Sequence, residues 1–420
     1  MIVIYQLFLF FYRAGIGLVS FWNPKAKLWI TGRRHVFEKL QKDLSGVAGK
    51  RIWMHCASLG EFEQGRPVLQ KIKESNPQAT IIITFFSPSG YEIAKRKNDF
   101  DHIFYLPMDS AIHAKKWLKV VKPDLVLWVK YEYWHYYLKQ IRRKNIPLLM
   151  ISGVYRSHQI FFTWYGAFYR NMLKSFTHFF VQNEDSKIQL QKIIAEEKIT
   201  VSGDTRCDRV IQIAENFKEV AGIAAFCGEQ KVIVAGSTWE DDEAEWTHFV
   251  KQHPEIKFII APHEIDKENL DHVQSQFAGS VLYSDWIKEA QPAESGHQPN
   301  CLVIDNIGTL SRLYHYATIT YVGGGFGDDG LHNILEAAVY GKPVIFGPEH
   351  EKNFEALELI DCSGAIAIRN ALELEKVLNH LLNNEQELSA RSKAAKNYVY
   401  KNAGATDKIT DFISTHSLLL

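Results

Sequence analysis

From residue 50 onward, short apolar runs alternate with amphipathic stretches, and this alternation restricts the chain to few folds. The runs contain few charged residues, as in strands buried on both faces, and helical connections between such strands produce parallel sheets. The first set of runs is RIWMHC (51–56), ATIIITFF (79–86), LVLWV (125–129), PLLMIS (147–152) and HFFVQ (178–182). The second set is KVIVAG (231–236), KFIIAP (257–262), CLVID (301–305), TITYVG (318–323), PVIFG (343–347) and GAIAI (364–368).

A helical and loop stretch near 211–230 separates the two sets, which predicts an α/β protein with two doubly wound, Rossmann-like domains. We place the N-terminal domain at 25–215 and the C-terminal domain at 225–400. The charged helical tail, 385–402, is expected to pack back across the domains. In open parallel sheets ligands bind beyond the carboxyl ends of the strands, so two facing domains predict a cleft lined by residues that follow strands.

Composition narrows the function. Lys plus Arg and Asp plus Glu each number 48, so no field of one sign favours nucleic acid as a partner. The five cysteines are scattered without the spacing of a zinc site or a disulfide framework. The cysteine pattern favours a reducing compartment.

The N-terminal segment 1–24 differs from the rest of the chain. Residues 2–22, IVIYQLFLFFYRAGIGLVSFW, are mostly apolar over about one membrane thickness. Basic residues follow at 25, 27, 33 and 34, which by the positive-inside rule leaves the remaining chain in the cytoplasm. A cleaved signal peptide is not expected, because its basic region and cleavage site are missing. We predict a membrane anchor that spans the bilayer or lies flat on it; a buried first helix is the alternative.

After the first strand the chain reads ASLGEFEQGRP. Pro67 is typical of a first helical turn, so we expect residues 57–65 to form a loop with Glu61 at the edge of the cleft. A carboxylate there can act as a general base towards a hydroxyl. The alternative is that Glu61 only caps the helix or interacts with its dipole.

In the second half, Gly236, Ser237 and Thr238 follow a strand and offer an anion site at a helix start, or simple N-caps. The acidic run 240–242 is interpreted as a charged first turn in preference to a metal cluster. DNIGTL (305–310) follows another strand and adds possible backbone donors. His263, just beyond a strand end, is a site candidate or a structural histidine.

The most informative stretch is GGGFGDDGLHNILEAAVYGKPVIFGPEHEKNF, which begins at Gly323. Its glycines fit the dinucleotide pattern G-x-G-x-x-G, but they also suit backbone approaching a phosphate, with a helix opening at Leu331. Asn333 and Glu336 are three residues apart and share one face of that helix. A carboxylate there is suited to the two hydroxyls of a ribose, which indicates a nucleotide-sugar site.

Together GEF, AGST, GGGFGDDGLHNILEAA and GKPVIFGPEHEKNF resemble the 3-deoxy-D-manno-octulosonic acid (Kdo) transferases of Gram-negative bacteria. The resemblance runs from the N-terminal segment to about residue 400. It implies a GT-B fold at the cytoplasmic face of the inner membrane, with CMP-Kdo as donor, a lipid A precursor as acceptor, and no metal or other cofactor. It also implies an inverting transfer.

Carried over residue by residue, the resemblance puts the catalytic base at Glu61 and a basic residue for phosphate or transition-state charge at Arg206, in SGDTRCD. The family's contacts to CMP fall on positions in the C-terminal half. These positions are Pro262, His263, Ile307, Gly308, Thr309, Asn333, Ile334, Leu335 and Glu336. The anion-site and glycine-loop interpretations add Gly236, Ser237, Thr238, Gly324 and Gly325 as further candidates for substrate or CMP binding.

Two departures affect the roles more than the reaction. The family's E-x-E-x-W is KYEYW here, so either Glu132 does the work of the missing carboxylate or Lys130 meets an anionic group. The family's Pro-Arg-His is Pro-His-Glu at 262–264, which removes a bidentate phosphate contact. The candidates for binding acceptor phosphates are SPSG (87–90), Lys95, Arg96, Lys97, Arg156 and Ser157.

Three alternatives remain open at this point. A GT-B transferase that uses a UDP-sugar would need the same ribose contact as a CMP-sugar enzyme. A nicotinamide oxidoreductase would use the glycine pattern and leave Glu61 and the apolar segment unexplained. A bilobal solute-binding protein with an N-terminal anchor would lie outside the cytoplasm, against the charge flank.

Overall fold

The computed structural model describes residues 1–97, 100–130, 132–288, 299–327 and 330–419. Contacts divide the chain into two units, which are treated separately below. Unit 1 comprises Met1–Arg209 and Ala403–Leu420, and unit 2 comprises Val210–Asn402. The chain therefore returns to unit 1 at its C-terminal end, while the predicted tail 385–402 lies in unit 2.

Unit 1 contains a parallel sheet whose strand order is β3-β2-β1-β4-β5-β6-β7 among the described residues. Its strands are β1 (Arg51–Cys56), β2 (Thr80–Phe85), β3 (His102–Tyr105), β4 (Leu125–Val129), β5 (Leu148–Gly153), β6 (His178–Val181) and β7 (Ile199–Val201). Its helices are α1 (Ile2–Val19), α2 (Pro24–Thr31), α3 (Val36–Asp43), α4 (Leu59–Ser75), α5 (Pro88–Lys97), α6 (Ala111–Val121), α7 (His135–Arg143), α8 (Ala167–Leu173), α9 (Glu184–Leu190) and α10 (Thr205–Glu215), which crosses the unit boundary, and finally α20 (Ala405–Thr415).

The period-two alternation of strand side chains divides the core of unit 1 between the faces of its sheet. Trp53 of β1 and Trp128 of β4 pack with Trp117 of α6 on one face. Ile52 and Met54 of β1 lie in the cluster on the other face, where α20 contributes to the packing. Both faces are covered by helices, which explains why most positions of the strands are apolar on either face.

Unit 2 has a second parallel sheet with the order β10-β11-β9-β8-β12-β13-β14 among the described residues. Its strands are β8 (Val232–Thr238), β9 (Lys257–Pro262), β10 (Val281–Leu282), β11 (Cys301–Val303), β12 (Ile319–Val322), β13 (Val344–Phe346) and β14 (Ala365–Ala367). Its helices are α11 (Ile223–Cys227), α12 (Glu240–Gln252), α13 (Lys267–Gln276), α14 (Tyr283–Trp286), α15 (Leu310–Leu313), α16 (Leu335–Ala338), α17 (Phe354–Asp361), α18 (Ala371–Asn383) and α19 (Glu385–Lys401).

The predicted α/β class with two parallel Rossmann-like sheets is confirmed. Every predicted apolar run contains a strand, whereas β3, β7 and β10 were not predicted from the sequence. These strands lie at or next to sheet edges and have two to four residues each. Such short runs do not contain enough positions to show a strand pattern.

Two local predictions are wrong. Residues 57–65 are not a loop, because α4 begins at Leu59 after the N-cap Ser58, which leaves Pro67 inside the helix. Proline costs the helix one backbone hydrogen bond, but the buried packing of α4 against the sheet outweighs that loss. The helix expected to open at Leu331 begins only at Leu335, and it has four residues.

Asp208 explains how the C-terminal end of the chain attaches to unit 1. Its two carboxylate oxygens accept hydrogen bonds from the backbone N–H groups of Gly404 and Thr406, both at 2.6 Å. Those groups belong to the N-terminal turn of α20, which has no intrahelical acceptors for them. An ion pair between Lys71 and Asp407 joins α20 to a second helix of unit 1, α4.

Candidate active site

The strand order of unit 1 reverses between β1 and β4, which are neighbours in the sheet but lead to strands on opposite sides. Helical connections diverge at such a point and leave a crevice at the carboxyl ends of the strands. Glu61 follows β1, on the first turn of α4, and Lys130 follows β4 directly. Arg206 begins α10, after β7. The three residues predicted to be catalytic therefore all lie at the carboxyl edge of one sheet.

Gln64 connects two of these residues, although the sequence alone did not single it out. In the amide orientation that satisfies its neighbours, Gln64 Oε1 accepts from Lys130 Nζ at 2.7 Å and from Arg206 Nε at 3.1 Å. Gln64 is buried and lies three residues after Glu61 on α4. The one-turn spacing therefore places Glu61 and the bridging amide on the same helix face.

Lys130 occupies an unusual position for a lysine. It is buried and has a left-handed backbone, with φ of 50°. Burial lowers the pKa of its ammonium group to about 8, an effect opposed by the negative charges of Asp204 and Glu61. Arg156, one of the residues proposed for the acceptor, is close enough to lower this pKa further.

Arg206 is oriented by Asp204, a second residue that the sequence analysis missed. The guanidinium donates from Nε and an NH2 nitrogen to Asp204 Oδ2, at 2.8 and 2.6 Å. Gln182 Nε2 donates to the same oxygen at 2.9 Å. Burial raises the pKa of Asp204, but the charges of Arg206 and Lys130 outweigh this and hold it below its usual value. A D-x-R pattern directly after a strand was the available sequence signal.

Glu61 is buried at the N-terminus of α4. Its backbone N–H faces Ser58 Oγ at 3.5 Å, and its carboxylate Oε2 accepts from the backbone N–H of Ala57. This reciprocal arrangement resembles a capping box, so the helix-capping interpretation of Glu61 has a geometric basis. The same contact holds the carboxylate beside the charge of Lys130, so the capping contact and a base role are compatible.

Glu132, the alternative carboxylate of KYEYW, belongs to a polar chain. Its Oε2 accepts from Trp134 Nε1 at 3.0 Å and lies 2.9 Å from Nε2 of the buried His55. The Nδ1 atom of His55 lies 2.9 Å from Thr84 Oγ1. Glu132 is therefore positioned by structural partners that differ from those of Glu61. Tyr131 of this motif lies outside the described residues.

In unit 2 the strand order reverses between β8 and β12. Gly236, Ser237 and Thr238 lie at the carboxyl end of β8, not at a helix start as predicted. A Cβ on Gly236 would lie 2.1 Å from the Tyr314 hydroxyl, and Ser237 has φ of 54°. Neither Ser237 nor Thr238 caps α12, since its N-cap is Trp239.

Asp242 organises the turns that follow β8 and β12. Its Oδ1 accepts from the Tyr321 hydroxyl at 2.6 Å, and its Oδ2 accepts from the backbone N–H groups of Trp239 and Gly324 at 3.0 and 2.8 Å. The acidic run therefore contributes an internal anchor for the glycine-rich loop. Burial raises the pKa of Asp242, and these hydrogen bonds oppose the rise.

The glycines after β12 permit close backbone packing. Gly324 has φ of 87°, and a Cβ on Gly325 would lie 2.6 Å from the backbone nitrogen of Gly347. Glycine is needed at both positions for this packing alone. Asp328 and Asp329 of the motif lie outside the described residues.

The predicted pair Asn333 and Glu336 is in contact. Asn333 Nδ2 donates to Glu336 Oε1 at 3.1 Å, although Asn333 precedes α16 instead of belonging to it. Ile334 and Leu335 are buried, so they anchor this segment in the interior. Their burial leaves the polar pair as the part of this segment able to contact a ligand.

A stack of three rings lies at the carboxyl edge of unit 2. The Trp239 and His263 rings are 4.6 Å apart, the His263 and His332 rings are 4.5 Å apart, and both pairs are nearly parallel. Trp239 Nε1 donates to His332 Nε2 at 3.1 Å, which requires that nitrogen of His332 to be unprotonated. His263 follows Pro262 and donates its backbone N–H to Thr238 O at 2.8 Å. The participation of Trp239 and His332 had no signal in the sequence.

The segment 307–309 follows β11 in the same sheet. Ile307 is 77% exposed and Gly308 has φ of 94°. The Thr309 hydroxyl donates to Asn306 Oδ1 at 2.5 Å, which ties the turn together. The structure thus provides an exposed turn with a left-handed glycine, and it shows no contact from this turn to the ring stack among the described residues.

This fold of two parallel Rossmann-like domains is that of GT-B glycosyltransferases and related nucleotide-sugar enzymes. The UDP-GlcNAc 2-epimerase of Neisseria meningitidis superposes with a TM-score of 0.63 at 17% identity, over 87% of this chain and 100% of that structure. MurG of Acinetobacter baumannii superposes with a TM-score of 0.51 at 15% identity, over 87% and 99% of the two chains. At these identities the likeness concerns the fold alone.

Sequence comparison finds similarity to one family. Residues 31–209 match the family described as 3-deoxy-D-manno-octulosonic-acid transferase (kdotransferase). The 3-deoxy-D-manno-octulosonic acid transferase of Chlamydophila psittaci is 27% identical over 374 residues, which are 86% of this chain and 84% of the relative. That of Aquifex aeolicus is 23% identical over 347 residues, or 82% and 89% of the chains. The recognition of the Kdo transferase family is confirmed, and it supports a glycosyltransferase.

Proposed function

We propose that this chain transfers Kdo from CMP-Kdo to a lipid A precursor in lipopolysaccharide biosynthesis, as an inverting enzyme at the cytoplasmic face of the inner membrane. The observation that carries the proposal is the grouping of Glu61, Lys130 and Arg206 at the carboxyl edge of one sheet. This grouping lies within the segment 31–209 that matches the Kdo transferase family. Relatives named as Kdo transferases align with most of the chain.

In this proposal Glu61 is the general base. Its carboxylate takes the proton from a sugar hydroxyl of the acceptor while that oxygen forms a bond to the anomeric carbon of Kdo. The bond from the anomeric carbon to the phosphate oxygen breaks on the opposite face, so CMP leaves with the electron pair and the configuration inverts. The contact of Ala57 N–H with Oε2 orients the carboxylate for this step.

Lys130 and Arg206 provide positive charge for the anionic groups of the reactants and for the charge that develops on the leaving phosphate. Both are held in place before a ligand binds, Lys130 by Gln64 and Arg206 by Gln64 and Asp204. Preorganised charge in a buried site acts more strongly than the same charge in water. We propose Lys130, and not Glu132, as the functional residue of KYEYW.

We assign donor binding to unit 2. The Glu336 carboxylate, braced by Asn333, is suited to the ribose hydroxyls. The rings of Trp239, His263 and His332 offer a flat surface and nitrogen atoms near it. The turn at 307–309 and the backbone at Gly236 and Gly324 complete the proposed donor contacts. Acceptor phosphates are assigned to unit 1, with Arg156 as the first candidate because of its proximity to Lys130.

The test is transfer of labelled Kdo from CMP-Kdo, generated in situ, to a lipid A precursor, with wild type beside Glu61→Gln. The glutamine keeps an oxygen for the Ala57 N–H, so α4 stays capped while the base is lost. We expect a rate loss of about 10²- to 10⁴-fold. Glu63→Gln is the matched control, since Glu63 lies on the same helix and pairs with Arg66 and Arg209.

Equal losses in the two variants would show that Glu61 has only a structural role. A folded wild type that transfers no Kdo but binds UDP more tightly than CMP would replace the proposal by a transferase that uses a UDP-sugar. Binding of both nucleotides is measured on the same preparations, which separates loss of donor binding from loss of chemistry.

A further inference from the structure

Gln64 of α4 is a neutral amide that lies between two cations. Its side chain is 3% exposed, and its Oε1 accepts from the Lys130 ammonium at 2.7 Å and from the Arg206 guanidinium at 3.1 Å. The two donors come from segments far apart in the chain, one directly after β4 and the other at the start of α10. Two like charges are therefore bound to one oxygen in the interior of unit 1.

The Lys130 residue is fixed at both of its ends. Its backbone N–H donates to Ile151 O at 3.2 Å, next to the end of β4. Its φ of 50° lies in the left-handed region, which few residues other than glycine adopt. At the tip of the side chain, Nζ donates to Gln64. A lysine side chain loses much rotamer entropy when it is ordered, so an acceptor at its tip determines where the charge lies.

The surroundings of Lys130 have opposing effects on its charge. Burial lowers the pKa of its ammonium group to about 8. Among the charged groups around it, the carboxylates of Asp204 and Glu61 favour the charged form, whereas the guanidinium groups of Arg206 and Arg156 disfavour it. A hydrogen bond to the charged form also favours that form. The amide oxygen therefore acts in the same direction as the two carboxylates.

An amide is suited to this position because it binds cations without neutralising them. Arg206 already has a carboxylate partner, since it donates to Asp204 Oδ2 at 2.8 and 2.6 Å. A further carboxylate at position 64 would form an ion pair with Lys130 and cancel its charge. An apolar side chain there would leave two cations side by side without the shared acceptor, and their repulsion is stronger in the interior than in water. The neutral oxygen binds both groups and leaves their net charge unchanged.

The same helix also carries the proposed base. Gln64 lies three residues after Glu61 on α4, whose N-terminus is capped by Ser58. Groups on one helix are held in more precise positions than groups on loops. The carboxylate of Glu61 and the oxygen that positions the two cations therefore keep a fixed relation to each other.

We propose that Gln64 is a positioning residue of the active site, which holds the Lys130 ammonium and the Arg206 guanidinium as one cationic pair and keeps that pair charged. Gln64 acts through the two cations, so this role requires no contact between its amide and the reactants. The inference rests on the proposed transfer reaction, in which the pair stabilises negative charge.

The test compares Gln64→Leu with Gln64→Glu in the Kdo transfer assay, because the two variants change the acceptor in opposite ways. Leucine removes the oxygen that favours the charged ammonium, so the pKa of Lys130 should fall and the alkaline decline of kcat should move about one pH unit lower. Glutamate adds a negative charge, so the decline should move about one pH unit higher. Partial unfolding would not move the decline in opposite directions.

Gln70→Leu is the matched control, because Gln70 lies on the same helix and its Oε1 has no hydrogen bond among the described residues. Its pH profile should match that of wild type. At pH values below the decline, Gln64→Leu should lower kcat about tenfold and leave the Kd for CMP unchanged. A decline that stays at the wild-type pH in both Gln64 variants, with both folded by circular dichroism, would show that the positioning role is wrong.

The titration of Lys130 is also measured without turnover, by competitive labelling of the lysines with acetic anhydride over about pH 6 to 10 and mass spectrometry. Opposite displacements of its midpoint in Gln64→Leu and Gln64→Glu would support the role of Gln64. An unchanged midpoint in both variants would overturn that role, whether or not transfer occurs. Absence of Kdo transfer by a folded wild type would instead refute the proposed reaction, and the labelling would still decide the role of Gln64.

Discussion

Both sheets reverse their strand order between two central strands, but the crevices at these two points differ in chemistry. In unit 1 the crevice is built from buried charges, with Lys130 and Arg206 joined through Gln64 and Arg206 bound to Asp204. In unit 2 the corresponding edge is built from glycines, one internal carboxylate and the stacked rings of Trp239 and His263. The topology of each sheet determines where its crevice lies. The side chains that follow the strands determine which chemistry that crevice can support.

The comparison also shows that different groups are buried in the two units. Buried charge in unit 1 is costly, and it persists because each group has a partner of opposite sign or a hydrogen bond. Close backbone packing in unit 2 costs little electrostatically but tolerates no side chain at Gly325. Variants of unit 1 should therefore change chemistry, whereas variants of unit 2 should change folding or binding.

Beyond Glu61→Gln, the largest effect is expected from Lys130→Ala. Loss of a preorganised charge should lower kcat by about 10²- to 10³-fold while CMP binding is retained. Lys122→Ala is the control, because Lys122 is exposed and has a similar left-handed backbone, with φ of 46°. Steady-state kinetics measures kcat, and CMP titration measures nucleotide binding. A loss of the same size in both variants would assign the effect to the backbone and not to the ammonium group.

The next effect is structural and lies in unit 2. In Gly325→Ala the new Cβ would meet the Gly347 backbone at 2.6 Å, and we expect a loss of about 1–3 kcal/mol in the free energy of unfolding. In Gly327→Ala the nearest atom is Asp241 Oδ2 at 3.5 Å, which is ordinary contact, so this variant should be as stable as wild type. Thermal denaturation measures both. Equal stability of the two variants would contradict the packing role of Gly325.

The pH dependence of unit 1 gives a smaller effect. The pKa of Lys130 is lowered to about 8, so its positive charge is present below that pH and is lost as the pH rises through it. If the charge serves transfer, kcat should fall about tenfold for each pH unit well above the pKa. Lys130→Arg should remove this decline, since arginine stays protonated. A decline that persists unchanged in Lys130→Arg would assign it to another group.

The smallest effect is expected at the ring stack. Trp239→Phe keeps an aromatic ring but removes the N–H that donates to His332. Loss of one such hydrogen bond should raise the Kd for CMP by about three- to tenfold. Trp246→Phe removes the same group from a buried indole whose Nε1 has no partner among the described residues. Calorimetric titration with CMP compares the two, and a larger effect in Trp246→Phe would contradict a donor role for the stack.

The pattern of apolar runs was sufficient to predict the α/β class, since strands covered on both faces form nearly continuous apolar runs. The sequence pattern did not predict correctly where two of the helices begin. Pro67 was assigned to the first turn of a helix, but α4 already begins at Leu59 and contains Pro67 in its interior. The helix expected to begin at Leu331 begins only at Leu335. Helix ends depend on a few hydrogen bonds, so tertiary contacts easily shift them.

For the sites, the residues that follow strands were predictable because the carboxyl ends of parallel strands meet at one edge. Asn333 and Glu336 are in contact as predicted, although the contact is not between two residues of one helix. The role of Asp204 was predictable from the D-x-R pattern, whereas the roles of Gln64 and His332 were not predictable. Each depends on a partner far along the chain or on the other side of a turn, and no periodic pattern records such a partner.

By itself, the sequence determined the fold class, the family resemblance and which segments reach the edges of the sheets, since these follow from local hydrophobic order and motifs. Only the tertiary structure decided that Glu61 caps α4 beside Lys130 and that glycines of unit 2 pack backbone on backbone. The physical reason is that the order of apolar and polar residues is a property of the sequence itself. Electrostatic partnership and steric fit instead arise between residues that only folding brings together.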